Sequence, residues 1–251
     1  MTDKFDPRNA VHTPSASATY AINAVKEASA FVGSGLGITI PIAEIADYFP
    51  PLMPGQVCAI IGQTSNYKSG FLHFIEHQVA RDLRKFGKTD YIIIHVSVEE
   101  CVEEQAFLEL ARESDEDAGD LARGVVQNWD GLERAAVKMG SIPIYRIGDS
   151  LARAEDMPKL YMSNMIKAIN TLVNGKILDW KPKVAGIFFD YLQAFPLDPE
   201  FLSAEKDQRR RLQVRSDMYR LRQCAALFRT PVFVAVQAKQ HLSGAHPPIM
   251  L

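Results

Sequence analysis

The chain has 251 residues, 47% of them hydrophobic and 23% charged, the composition of an ordinary soluble globular protein long enough to bury a sizeable core. Its 28 Lys+Arg against 30 Asp+Glu leave a formal net charge of −2, so any site for a polyanion must be a local patch rather than a global field. No apolar run approaches a membrane span, the polar start is no signal peptide, and three scattered cysteines (Cys58, Cys101, Cys224) make neither a disulfide frame nor a zinc site; a reduced, cytoplasmic protein with no membrane partner is expected.

Residues 1–17 are polar and rich in Pro, Ser, Thr and Ala, and read as a mobile tail. Residues 18–32 then read as one helix carrying Ile22, Val25, Ala28 and Val32, with Gly33-Ser-Gly-Leu-Gly37 as its stop. A lone short helix cannot hide its own apolar stripe, so it packs on its own domain or on a neighbouring subunit. Residues 1–36 are therefore a flexible tail plus short helix ahead of a domain over 37–251.

From Gly55 onward the chain alternates β and α. Strands are expected over 56–61, 91–97, 142–147, 184–190 and 231–237, and helices near 69–86, 102–113, 121–139, 156–173 and 208–228. Tyr-Ile-Ile-Ile, Gly-Ile-Phe-Phe and Val-Phe-Val-Ala-Val are continuous apolar runs, so both faces of their strands must be covered. That requires a mostly parallel sheet with helices on both faces, a single α/β domain. The chain stops at Pro247-Pro-Ile-Met-Leu251, which looks like the approach to a further strand, so the domain is expected to be cut short at its carboxy end.

In such a sheet, ligands sit outside the carboxyl ends of the strands. The first strand delivers Gly62, Gln63, Thr64, Ser65, Asn66 and Tyr67, and then Lys68 and Ser69 open a helix. This is the layout of a phosphate-binding P-loop: backbone N–H groups and a helix N-terminus face an anion, Lys68 neutralises β/γ-phosphates, and the Ser69 hydroxyl ligates Mg²⁺. Tyr67 departs from the pattern, which has Gly before the Lys. The second strand delivers Glu99 and Glu100, one of which orients and deprotonates an attacking water; Glu99 is preferred, and Glu100 also suits the start of the following helix. The fourth delivers Asp190, expected beside the P-loop and holding Mg²⁺ opposite Ser69. The fifth ends in Gln237, which either senses the γ-phosphate or is a strand-end amide satisfied by backbone.

On the last helix Val214, Leu221, Ala225 and Phe228 form a core stripe. Arg209, Arg210 and Arg211 at its start, with Arg215, Arg222 and Arg229 beyond, make the chain's strongest local positive charge. It is a solvated face, or it meets nucleic-acid phosphate or an acidic neighbouring subunit, with Lys239 as a supplement. His73 and His77 stand four apart with Glu76 between them, but the zincin pattern has its Glu directly after the first His. Both are expected on the helix surface.

These segments, in this order, resemble the RecA-like motor domain of the DnaB family of replicative DNA helicases. The resemblance is carried by Pro54-Gly55-Gln56, Val96-Ser97-Val98-Glu99, Ile142-Pro143-Ile144-Tyr145, Phe189-Asp190-Tyr191-Leu192-Gln193, Leu221-Arg222 and Thr230–Gln237, and covers about Gly37 to the end. It implies an ATPase that translocates on single-stranded DNA as a hexameric ring, with ATP and Mg²⁺ as cofactors. By position, Lys68 and Ser69 bind phosphate and Mg²⁺, Glu99 is the catalytic glutamate, Asp190 the Walker B acid and Gln237 the sensor. The short helix before the domain corresponds to a linker helix that docks on the next subunit. Besides Tyr67, two departures stand out: the family's helical amino-terminal domain and its late strands with an arginine finger have no counterpart in this sequence. Another RecA-like enzyme (a recombinase or a loader) and a non-hydrolysing assembly module are the alternatives.

Overall fold

The computed structural model describes residues 13–31, 37–63, 66–151, 160–203 and 205–238. Strands β1 (Val57–Gly62), β2 (Tyr91–Ser97), β3 (Ile144–Ile147), β4 (Lys183–Asp190) and β5 (Val232–Gln237) form one sheet in the order β1-β5-β4-β2-β3. Every pairing is parallel. All five strands lie within two residues of where their apolar runs place them.

Parallel neighbours need crossovers, and helices supply them. The helices are α1 (Pro14–Phe31), α2 (Ala43–Ala46), α3 (Lys68–Lys85), α4 (Val102–Ser114), α5 (Ala118–Ala122), α6 (Trp129–Gly140), α7 (Met162–Val173) and α8 (Lys206–Phe228). The single helix expected over 121–139 is two. Gly124 takes a left-handed φ of 74°, and the Asn128 side chain accepts from Gly131 N–H to start α6 afresh. Helix α1 begins inside the expected tail: Thr13 Oγ1 accepts from Ala16 N–H at 3.2 Å, and Pro14 occupies the first turn, where its missing N–H costs nothing. Residues 1–12 and 32–36 of the expected tail and stop lie outside the described residues, as does the expected start of α7. Ile22 and Val25 of the expected stripe are exposed; the side chain of Ala28 and the whole of Val32 lie outside what is described.

Side chains alternate across each strand, dividing the core into two layers. One layer sets Leu72, Ile75, Val79 and Leu83 of α3 against Ile93, Phe188, Phe233 and Ala235. The stacked Phe188 and Phe233 rings, 4.9 Å apart on paired strand positions, lie at its centre. The other sets Met165, Ile169 and Leu172 of α7 and Leu221 and Ala225 of α8 against Ile92, Ile94, Val96, Ile187, Phe189, Val232 and Val234. Leu221 and Ala225 are the heart of the stripe read on α8.

β5 is inserted between β1 and β4, the strand that carries Asp190. One expectation is corrected. His73 and His77 are not surface residues. They turn inward with Glu76, and His73 stacks on His95 of β2 with ring centroids 4.8 Å apart.

Candidate functional site

β1 runs out at Gly62, and the chain must cross the strand end to enter α3. A Cβ on Gly62 would lie 3.3 Å from Lys68 Cγ and 3.5 Å from Asn66 Cβ, so the glycine leaves a path for the lysine stem. Lys68 Nζ folds back and donates to the Gln63 carbonyl at 2.7 Å. Tyr67, directly before α3, adopts φ 50° and ψ 29°, the left-handed conformation that glycine favours, and its ring is 87% exposed. Holding a tyrosine there costs on the order of 1–2 kcal/mol. Lys68 and Ser69 open α3, where the first-turn N–H groups have no partner within the helix. Thr64 and Ser65 lie outside the described residues.

Across from this loop, β2 ends at Ser97, which is buried. Its Oγ accepts from the N–H groups of Glu99 at 3.3 Å and Glu100 at 3.2 Å and so turns the chain. Gln105 Nε2 donates to the Glu100 carbonyl at 3.1 Å. Gly148, just past β3, allows a further approach: a Cβ there would stand 2.7 Å from the Ser97 carbonyl oxygen.

Asn66, Tyr67, Lys68, Ser69 and Gly70 face Glu99, Glu100, Tyr191 and Gln237 across a cleft of about 540 Å³. Asp190 is 2% exposed at the end of β4, paired in register with Ser97, and its Oδ1 is buried with no hydrogen-bond partner among the described residues. Burial pushes the Glu99 carboxyl above its ordinary pKa, and the charges of Asp190 and Glu100 push it further, against the pull of Lys68. Glu100 is also raised, by burial and then by Asp190, with His73 opposing. Burial, Glu99 and Asp190 together raise Tyr191.

The far wall is braced by a residue whose role sequence reasoning missed. The Asp190–Tyr191 peptide is cis, and the chain then makes a 3-10 turn over Leu192–Ala194. From that turn Gln193 Nε2 donates to the Gln237 carbonyl at 3.0 Å while its Oε1 accepts from Gln237 N–H at 2.9 Å. Ala238 N–H donates to the Gly62 carbonyl at 2.9 Å, so the end of β5 is tied to the segment after β4 and to the P-loop strand together.

Beyond the turn the chain is pinned to α8. Arg210 Nη1 donates to the Phe195 carbonyl at 2.9 Å. The buried Asp198 N–H donates to Gln213 Oε1 at 2.8 Å, and Gln213 Nε2 donates to Asp217 Oδ2 at 2.7 Å. Arg220 pairs with Asp198, with Asp217 at 3.3 Å and with Glu200 at 2.6 Å. Only the spacing of Gln213, Asp217 and Arg220 beside the Leu221 stripe hinted at this second, polar buried face.

Lys68, Ser69, Glu99 and Gln237 thus share one cleft, with Asp190 set back from it. Arg209, Arg210 and Arg211 are outside it, at the start of α8, with Arg210 and Arg211 exposed. Lys239 lies outside the described residues.

No family model matches the chain, and neither does any curated protein. Solved structures do. A DnaB-like replicative helicase, from a structure that also addresses its interactions with primase, aligns with a TM-score of 0.62 and 15% identity over 96% of this chain and 50% of that one. A second solved structure, an ATPase domain, aligns with a TM-score of 0.61 and 14% identity over 88% of this chain and 71% of that one. The chain spans about half the length of the DnaB-like helicase it matches. The likeness is one of fold, and it makes this a RecA-like α/β domain, as the motif order implied.

Proposed function

We propose that the chain is an ATP-hydrolysing motor domain of the DnaB type, which uses the cleft between α3 and the ends of β2, β4 and β5 to bind MgATP. The observation that carries this reading is the convergence of Lys68, Ser69, Glu99 and Gln237 on one cleft backed by a buried aspartate. Likeness of fold to a replicative helicase and to an ATPase domain supports it.

The residues fit Mg²⁺. Asp190 carries a buried oxygen without a partner among the described residues, an oxygen donor of the hard kind that Mg²⁺ takes, and Ser69 supplies a hydroxyl at the cleft. Those two side chains would hold the ion, whose chemistry is to neutralise charge on the phosphates. Lys68 leaves the Gln63 carbonyl to pair with phosphate, and the first-turn N–H groups of α3 receive the anion. Glu99, with its raised pKa, accepts the proton of the attacking water as the water oxygen bonds to the γ-phosphorus and the bond to the bridging oxygen breaks. Gln237, gripped through its backbone by Gln193, carries the state of the γ-phosphate into the chain that follows.

Arg209, Arg210 and Arg211 meet single-stranded DNA in this reading, and α1, with Tyr20, Ile22 and Val25 exposed, covers its stripe on the next subunit of a ring. Replacing the three arginines should weaken binding to single-stranded DNA and flatten its dependence on salt; an unchanged slope returns them to a solvated face.

The test of the site is calorimetric titration of MgATP into the chain, beside Lys68→Ala and Glu99→Gln. Lys68→Ala should lose binding, and Glu99→Gln should bind but not turn over. Equal affinity in Lys68→Ala would sink the site assignment. Turnover undiminished in Glu99→Gln would remove that residue as base. A second reading, an assembly module that binds nucleotide without hydrolysing it, is favoured by Lys68 being engaged with Gln63 and by the strained Tyr67; binding with no turnover in the unaltered chain would select it.

A further inference from the structure

Within the apolar layer between α3 and the sheet stand three polar side chains, His73 and Glu76 of α3 and His95 of β2. Glu76 is fully buried and His95 nearly so. Glu76 Oε2 accepts from His73 Nδ1 at 3.2 Å, and Oε1 accepts from His95 Nδ1. One donor atom from each residue lies within 4.8 Å of the other two. His95 Nε2 is buried with no hydrogen-bond partner among the described residues. Apolar residues of similar volume would hold such a layer together as well or better, so packing alone does not account for the trio.

We propose that His73, Glu76 and His95 form a binding site for a divalent transition-metal ion of the Zn²⁺ type, bracing the P-loop helix against the strand that leads to Glu99. Two imidazoles and a carboxylate are donors that suit Zn²⁺ and its neighbours, whereas Mg²⁺ prefers oxygen alone. Zn²⁺ holds such donors at about 2.0–2.2 Å, which brings them within about 4 Å of one another. Glu76 already meets that condition with Nδ1 of both rings. To ligate, each ring would carry its proton on Nε2 and leave the Nδ1 lone pair to the ion, and the remaining adjustment of position is between the two imidazoles. They lie within 16° of parallel, and the less buried His73, 17% exposed, must tilt toward its partner. With neutral imidazoles and one carboxylate the ion keeps an excess positive charge. Glu100 and Asp190, whose fields act on His73, face that charge favourably. His77, one residue beyond Glu76, is no fourth ligand because its Nε2 accepts from Arg112. The fourth position is left to water, the arrangement of three-ligand zinc sites.

The ion would join α3, which carries Lys68 and Ser69, to β2, which runs into Glu99 and Glu100. The site does not depend on the nucleotide reading, since none of its three residues lines that cleft.

The experiment is titration of the chelator-treated full chain with Zn²⁺ by calorimetry and with Co²⁺ by visible absorption, at neutral pH without nucleotide. One ion per chain is expected, with the strong visible bands of low-coordinate Co²⁺. His73→Ala and Glu76→Gln should weaken binding by more than the roughly 10–100-fold that loss of an outer-shell partner costs. Lys68→Ala should bind the metal as the unaltered chain does, whatever becomes of its nucleotide affinity, which separates this proposal from the preceding one. Absence of saturable binding in the unaltered chain, or unchanged affinity in His73→Ala, would overturn it. His73 sits at the edge of the layer, so its truncation tests the proposal even where Glu76→Gln fails to fold.

Discussion

On the side of the sheet covered by α7 and α8, the strands contribute apolar residues to the core: Ile92, Ile94, Val96, Val184, Ile187, Phe189, Val232 and Val234. On the side covered by α3, the corresponding row of β2 places His95 beside Ile93, and α3 answers with Glu76 and His73. The two layers divide their tasks. Where α7 and α8 meet the strands, their layer contributes non-directional burial, roughly proportional to area and tolerant of small shifts, while the polar bonds of Gln213, Asp217 and Arg220 tie α8 to the chain after β4 instead. The α3 layer contains directional bonds, which fix how the helix carrying Lys68 and Ser69 sits over the strand that leads to Glu99. Polar atoms in a core are expensive unless satisfied, so a polar core layer under the cleft marks where position matters more than stability.

Breaking the apolar layer should have the largest effect. Ile169→Ala, deep on α7 and far along the chain from the cleft residues, should cost about 2–5 kcal/mol in urea unfolding. It should leave the MgATP affinity of the folded fraction unchanged; a matching loss of affinity would erase the distinction between the layers.

Breaking the polar layer by Glu76→Gln should cost about 3 kcal/mol at neutral pH in metal-free buffer, because a buried group loses its charged partner. It should also change the acid limb. Burial pushes the Glu76 pKa up, but the charge of His95 and the hydrogen bonds from His73 and His95 outweigh it and hold the pKa at about 2. A depressed carboxylate contributes its full stability above its unfolded value near 4.5 and loses it as pH falls through about 2. The stability of Glu76→Gln should therefore fall less than that of the unaltered chain over that interval. Parallel curves in urea melts between pH 5 and 2 would remove Glu76 as the source.

Gln193→Ala separates the cleft's far wall from both layers. It removes two hydrogen bonds to the Gln237 backbone and should cost about 1–3 kcal/mol. Amide exchange at Gln237 should accelerate in this variant, and an unchanged rate would mean that β5 holds its own end.

The smallest effect belongs to Tyr67→Gly. Relief of the left-handed backbone is offset by the greater freedom of glycine in the unfolded chain, so stability should change by no more than about 1 kcal/mol. Nucleotide affinity should not fall, and a clear fall would show that the exposed ring contributes to binding.

Much of this was legible in the residue order. Strand positions followed from apolar runs, the core stripe of α8 from helical spacing, and the cleft from the rule that ligands gather at carboxyl ends of parallel strands. These signals are local, since a strand or helix face is written within a dozen residues. The break at Gly124–Asn128 was also local, and its turn and cap residues were simply outweighed by the apolar pattern on either side. The rest was not local. That β5 separates β1 from β4 is a matter of strand order, which no strand's composition encodes. His95 meets Glu76 across 19 residues and Gln193 meets Gln237 across 44, and each pair exists because the sheet brings two strand ends or a strand and a helix together. His73 reads as a surface residue until β2 is laid beneath it, and Gln213, Asp217 and Arg220 do so until the chain after β4 is laid against α8. A polar side chain reveals its partner only when the backbone has folded, because the cost of burying it is settled by what stands opposite.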